Sequence, residues 1–207
     1  MSLDLEKINE ELRDKSPIEI IKWSIETNLK LIATTKFGPH SAALLHLLTQ
    51  QKPDATILWA DHGYNTKPTY LFAEKLIEKL NLNMKIYTPD MTSSRRDAIM
   101  GGVPELDDEL HSEFTRQVKL EPFNKAFDEI QPEIWLTGIR KDQTDFRKTL
   151  EIVTLSQRGV YKVAPIFNWT EIDLENYLYE NDLPMERDYF DPTKILSHRE
   201  CGLHYTI

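Results

Sequence analysis

The only cysteine of the chain, Cys201, lies six residues before its end, inside Glu200-Cys201-Gly202-Leu203-His204. The thiolate is the nucleophilic form of cysteine, and a thiol with the ordinary pKa of about 8.5 holds only a few per cent of it at neutral pH. Arg199 and His204, with His198, can place positive charge near the sulfur and favour the thiolate, and Gly202 leaves room for a partner to approach. Glu200 acts in the opposite direction, because a nearby carboxylate favours the neutral thiol. Terminal segments are seldom well buried, whereas a structural free cysteine usually is. The chemistry on offer is nucleophilic attack or thiol exchange; a chance surface cysteine fits a single sequence equally well.

A second set of residues has the types that hold anions. Thr34-Thr35-Lys36-Phe37-Gly38 joins an apolar run to an Ala/Leu-rich one. Hydroxyls, a cation and a glycine at a helix N-terminus suit a phosphate, although an ordinary strand-to-helix turn has the same composition. Lys119, Arg140, Lys141 and Arg147 fall at or just after strands or in connecting segments, where they can converge on a multiply charged anion. Arg offers a bidentate fork and Lys a compact charge. Taken singly, each reads better as a solvated surface cation. Asp61 closes a second apolar run, placed either to orient a hydroxyl or amine of a nucleotide or to form a turn before Gly63.

These residues need a scaffold that brings strand ends together. Leu5, Ile8 and Leu12 predict one helix and Pro17 opens a second, so that residues 1–28 form an N-terminal helical pair. Strands are predicted over Leu29–Ala33, Thr56–Ala60, Met84–Tyr87, Glu133–Thr137 and, shorter, Tyr161–Ala164. Helices are predicted over Ser41–Gln50, Thr66–Leu80 and Thr170–Glu180, the last opened by a capping-box-like Thr170 and Asp173. Residues 88–118 read as a surface loop with short helices. The alternation implies a doubly wound α/β domain over 29–183, with a parallel sheet covered on both faces. Residues 184–207 read as a mobile C-terminal arm carrying the thiol, and the whole as a single domain.

Composition narrows the classes. Forty per cent hydrophobic and 29% charged residues describe an ordered globular chain. The net charge of −9 argues against nucleic-acid binding and requires any anion to be held by a local basic pocket. No apolar run approaches the roughly 20 residues that cross a bilayer, and the N-terminus lacks a secretion-signal pattern. The expectation is a cytoplasmic protein with no membrane partner and no metal. One cysteine forms neither an internal disulfide nor a four-cysteine iron–sulfur site.

Several blocks, in order, resemble the phosphoadenosine phosphosulfate (PAPS) reductase family. Glu200-Cys201-Gly202-Leu203-His204 is similar to its C-terminal signature, and Thr34 to Gly38 to its Ser-rich, Phe-Gly phosphate loop. Asp61-His62-Gly63-Tyr64 resembles its Asp-Thr-Gly-Tyr segment, with His62 where the family usually has Thr and no role assigned to it. Lys119-Leu120-Glu121-Pro122 resembles its Lys-Val-Glu-Pro block; Gly138-Ile139-Arg140-Lys141-Asp142-Gln143, followed by Arg147, resembles its Gly-x-Arg-Arg-x-Gln stretch. The resemblance implies an adenine-nucleotide alpha-hydrolase-like (PP-loop) fold. It implies sulfonucleotide contacts from Thr34, Thr35, Lys36, Phe37, Gly38, Asp61, Lys119, Gly138, Arg140 and Arg147, and attack by Cys201 on the activated sulfur.

The adenylyl-sulfate (APS) branch of that family holds an iron–sulfur cluster on two cysteine pairs, one just before the Lys-Val-Glu-Pro block. Phe114 and Thr115 stand there in this chain. The resemblance therefore implies the 3′-phosphorylated substrate, no bound cofactor, and thioredoxin or glutaredoxin as reductant; family members are often homodimers. Two further readings stay open: a PP-loop ATP pyrophosphatase-type adenylating enzyme, and a nucleotide-binding homologue with reduced turnover.

Overall fold

The computed structural model describes residues 3–193; Arg199, Cys201, His204 and the terminal motif around them lie outside those residues. Apolar runs form five parallel strands, Leu31–Thr35 (β1), Thr56–Ala60 (β2), Asn83–Tyr87 (β3), Ile134–Leu136 (β4) and Tyr161–Val163 (β6), and Val153–Leu155 (β5) adds an antiparallel edge. The order across the sheet is β3-β2-β1-β4-β6-β5. Successive strand residues face opposite sides. Leu31, Ala33, Ile57, Trp59, Ile134 and Leu136 pack with helices Pro17–Glu26 (α2), Ser41–Gln51 (α3), Lys67–Leu80 (α4) and Glu171–Glu180 (α9). Ile32, Leu58 and Trp135 pack the other way, onto Phe123, Ala126 and Phe127 of helix Glu121–Ile130 (α7). Both faces are covered, as a doubly wound sheet requires.

The chain winds outward from β1 through β2 to β3, then crosses back to lay β4 on the other side of β1. The reversal lies between β1 and β4, and ligands of open α/β sheets bind outside the carboxyl ends of strands at such a reversal. The expected phosphate loop leaves β1 there, and the Gly138–Arg147 stretch leaves β4.

Several elements depart from the sequence reading. The first strand starts two residues later than expected and runs through Thr34 and Thr35, whose β-branched side chains suit a strand and whose backbones pair with Leu58 and Trp59. β5 has no counterpart in the sequence pattern, so the sheet is mixed rather than wholly parallel; a three-residue edge strand carries little periodicity. Helix α7 is likewise additional, although Phe123, Ala126, Phe127 and Ile130 follow helical spacing.

Beyond helix Ser93–Met100 (α5), helix Leu110–Thr115 (α6) runs into α7 through a π-helical turn, Arg116–Leu120, in which the Glu121 N–H reaches the Arg116 carbonyl. Pro122 has no N–H to give, and its ring would crowd the carbonyl four residues back. The widened turn accommodates it, and it carries Lys119.

One side chain caps the outer edge of β5 at Val153. Buried Asn9, on helix Leu5–Leu12 (α1), donates from Nδ2 to the Val153 carbonyl at 2.9 Å and accepts the Val153 N–H on Oδ1 at 2.8 Å. Among the described residues no helix is long and apolar enough to cross a membrane.

Candidate active site

A cavity of about 450 Å³ opens at the carboxyl ends of β1, β2 and β4. It brings together Thr34, Thr35, Lys36, Gly38, Lys119, Gly138, Arg140 and Arg147 of the expected site. These residues are spread between positions 34 and 147, so tertiary structure alone gathers them.

The β1–α3 loop is held from below. Phe37 adopts a positive φ of 51°, rare for a residue with a side chain, and its ring is fully buried. It meets Trp59 edge-on at 4.7 Å and Phe72 at 6.4 Å between centroids. The reversal sends Phe37 into the core while Lys36 and Gly38 line the cavity. Phe37 is expected from the resemblance among the substrate contacts; its side chain is instead the anchor of the loop. Phe37→Ala is expected to cost about 3–5 kcal/mol, measured as a shift of the urea midpoint at constant slope. Thr34 and Thr35 are also engaged: Trp135 Nε1 donates to Thr34 Oγ1 at 2.8 Å, and the Phe37 N–H to Thr35 Oγ1 at 3.1 Å.

Space is tight at Gly38. A Cβ there would come within 3.1 Å of Lys36 Cε and 3.7 Å of the Tyr189 ring. The Lys36 ammonium lies 4.5 Å from the Tyr189 ring centroid, a cation–π contact.

The other cations are largely buried and braced. Arg140 Nε donates to Asp142 at 2.9 Å, and its backbone N–H to Gln143 Oε1 at 3.2 Å. Arg147, on helix Asp145–Lys148 (α8), donates to that same Gln143 oxygen. Lys119, with 13% of its side chain exposed, meets Asp191 (6% exposed) at 2.9 Å and donates to Thr193 Oγ1 at 2.8 Å. Burial alone would raise the Asp191 pKa. The Lys119 charge, hydrogen bonds from Thr193 and Lys119, and the Lys36 charge outweigh it and hold the carboxyl well below the usual range.

Asp61 does not line the cavity. Its carboxylate accepts from the Gly63 N–H at 3.0 Å, from Asn65 Nδ2 at 2.9 Å and from the Tyr70 hydroxyl at 3.0 and 3.1 Å. Burial, with the Asp61 charge behind it, pushes Tyr70 up to about 12. The resemblance gives Asp61 a substrate contact; the structure gives it to the turn, because the segment that follows it supplies three donors. His62, to which the sequence assigns no role, lines the cavity in its place.

The phosphoadenosine phosphosulfate reductase domain model matches residues 30–191, which span this sheet and every cavity residue named above. The chain belongs to the phosphoadenosine phosphosulfate reductase family. A phosphoadenosine 5′-phosphosulfate reductase from Synechococcus is 38% identical over 182 residues, covering 87% of this chain and 78% of that relative. One from Vibrio parahaemolyticus is 37% identical, covering 87% and 70%. Aligned with a third, from Synechocystis, the chain is 33% identical over 227 positions with 98% of its own residues included, so that relative has residues this one lacks. Among solved structures, a phosphoadenylyl-sulfate reductase from Candida auris in a phosphate complex superposes with a TM-score of 0.79 at 24% identity, covering 90% of this chain and 91% of that one. The Candida glabrata FMN adenylyltransferase shares the fold, at a TM-score of 0.55 and 15% identity over 76% of this chain and 49% of its own.

Membership of the PAPS reductase family does not by itself point to the residues that sequence reasoning misses. Gln143 stands within a motif without a role, yet it bridges both arginines. Asp191 lies 72 residues from Lys119, and no sequence signal links the two.

Proposed function

We propose that the chain reduces 3′-phosphoadenylyl sulfate to sulfite and adenosine 3′,5′-bisphosphate, with Cys201 as nucleophile and thioredoxin as electron donor. The observation that carries this reading is the convergence of Lys36, Lys119, Arg140 and Arg147 on one cavity at the sheet's switch point, in a chain of net charge −9. A polyanion is drawn there against the global field. The matched family and the single thiol of the chain supply the chemistry.

The Cys201 thiolate attacks the sulfate sulfur, a Cys–S–SO₃⁻ bond forms, and the S–O bond to the phosphate breaks. The bond's electrons leave on adenosine 3′,5′-bisphosphate. A thioredoxin thiolate then attacks Cys201 Sγ, sulfite leaves, and the second thioredoxin thiol releases Cys201 as the partner closes its own disulfide. Two electrons pass from the dithiol to sulfur. Lys119, Arg140 and Arg147 neutralise the phosphates and the charge that grows on the leaving oxygen, which is strongest in a site that excludes water.

Single turnover without reductant tests this. Mixing the chain with 3′-phosphoadenylyl sulfate is expected to add the mass of one SO₃ group at Cys201, and thioredoxin to discharge it as sulfite. Adenylyl sulfate, lacking the 3′-phosphate, is expected to load Cys201 at least about tenfold more slowly, a loss of one charge-assisted contact. Pyrophosphate release from ATP with no sulfonated Cys201 would overturn the proposal in favour of an adenylating enzyme.

A further inference from the structure

His62 is 6% exposed and lines the cavity where β2 ends. The Tyr64 backbone N–H donates to its Nδ1 at 3.0 Å. Nδ1 is therefore an acceptor, and the proton of a neutral ring is on Nε2. That nitrogen is buried and has no hydrogen-bond partner among the described residues. A buried donor without an acceptor costs the full desolvation of the group, so such a vacancy calls for a reason. The charged groups around the ring are Asp191, Asp61, Lys119 and Lys36. Asp61 is saturated by its own loop, and Asp191 is bound to Lys119 and to the Thr193 hydroxyl and N–H.

We propose that His62 is a substrate-binding residue, whose Nε2–H donates to a non-bridging oxygen of the phosphate or sulfate group that takes the place of the Asp191 carboxylate on Lys119. The inference rests on the reading of the cavity as a sulfonucleotide site. A carboxylate offers two oxygens, and Lys119 and Thr193 use both. A tetrahedral oxyanion brings an additional oxygen to the same cation, and among the described residues His62 is a neighbouring group whose hydrogen is unused. With Nδ1 blocked, the ring donates and cannot accept from the cavity, so it favours a fully ionised oxyanion over a hydroxyl. Burial lowers the imidazole pKa, Lys119 and Lys36 lower it further, and Asp191 and Asp61 oppose them; the ring stays neutral with its tautomer fixed.

The test uses adenosine 3′,5′-bisphosphate, 5′-AMP and inorganic phosphate as titrants against wild type, His62→Asn and His62→Gln. Asparagine can accept the Tyr64 N–H but places nothing at the Nε2 position, whereas the glutamine amide nitrogen reaches it. We expect His62→Asn to bind the bisphosphate about tenfold or more weakly, the worth of one hydrogen bond to a charged group, and His62→Gln to recover most of that. The titrant whose affinity falls identifies the group that is read. In nitrogen-labelled wild type, the Nε2–H resonance is expected to move on saturation, a signal that a purely structural histidine would not give and one that needs no variant to fold. Equal affinities of wild type and His62→Asn, or an Nε2–H signal unmoved by bound nucleotide, would overturn the assignment while leaving the site reading intact. Failure of the wild type to bind any of the three would instead overturn the site reading, and this inference with it.

Discussion

Lys119→Met is expected to lower the stability of the folded chain by about 3–5 kcal/mol, and Asp191→Asn added to it to return most of the loss. Methionine keeps the apolar stem of lysine and removes only the charge, so packing around the π-helical turn is preserved. What remains is a carboxylate with 6% of its side chain exposed and its cation gone. Breaking a buried pair from one side costs several kcal/mol, whereas removing both charges is often nearly neutral. The two variants therefore separate stability from binding. Denaturant unfolding should show the recovery in the double variant, while its affinity for adenosine 3′,5′-bisphosphate should stay reduced, because the substrate has lost the same ammonium. If the double variant unfolded as readily as Lys119→Met, the loss would not come from an Asp191 carboxylate left buried without its cation.

The same pair sets an acid limit. The folded Asp191 pKa lies below the ordinary carboxylate value of 3.8, so the unfolded chain binds its proton first. Its contribution is whole above about pH 5. It falls away as acid is added, from the unfolded value down through the depressed folded one. Wild type should lose stability over that range more steeply than Lys119→Met/Asp191→Asn.

Cys201→Ser is expected to abolish sulfite release, by about a thousandfold or more, on the order seen when a covalent nucleophile is deleted. Serine is nearly isosteric, but its hydroxyl does not ionise near neutral pH, and an oxygen bound to SO₃ gives thioredoxin no sulfur to attack. Affinity for adenosine 3′,5′-bisphosphate should change little, since the phosphates are assigned to Lys119, Arg140 and Arg147. Rapid reaction of wild-type Cys201 with iodoacetamide, slowed by bound nucleotide, would place the thiol near the cavity in solution. Sulfite formed by Cys201→Ser at the wild-type rate would remove Cys201 from the mechanism altogether.

Much of the architecture is legible in the sequence because strands buried on two faces must be apolar throughout. Ile57-Leu58-Trp59 and Ile134-Trp135-Leu136 announce themselves in this way. Short or edge elements do not: Val153–Leu155 has one buried residue in three. At the site, residue type predicts better than motif position for Phe37, since a large aromatic gains more from the core than from a phosphate. For Asp61 the turn reading is available from Gly63 two residues on, and three nearby donors realise it. The Lys119–Asp191 pair and the unpartnered nitrogen of His62 are three-dimensional facts. They depend on neighbours that only folding brings together.

Asn9 acts on the molecule as a whole. Its carboxamide presents one donor and one acceptor to Val153, in the pattern that a further backbone would use. At Val153 the ladder thus meets a side chain rather than bare peptide groups awaiting another polypeptide, the usual route by which an open rim recruits neighbours and precipitates. The leading helix serves as a cover for that rim, a reason for this chain to keep a segment that contributes no residue to the cavity.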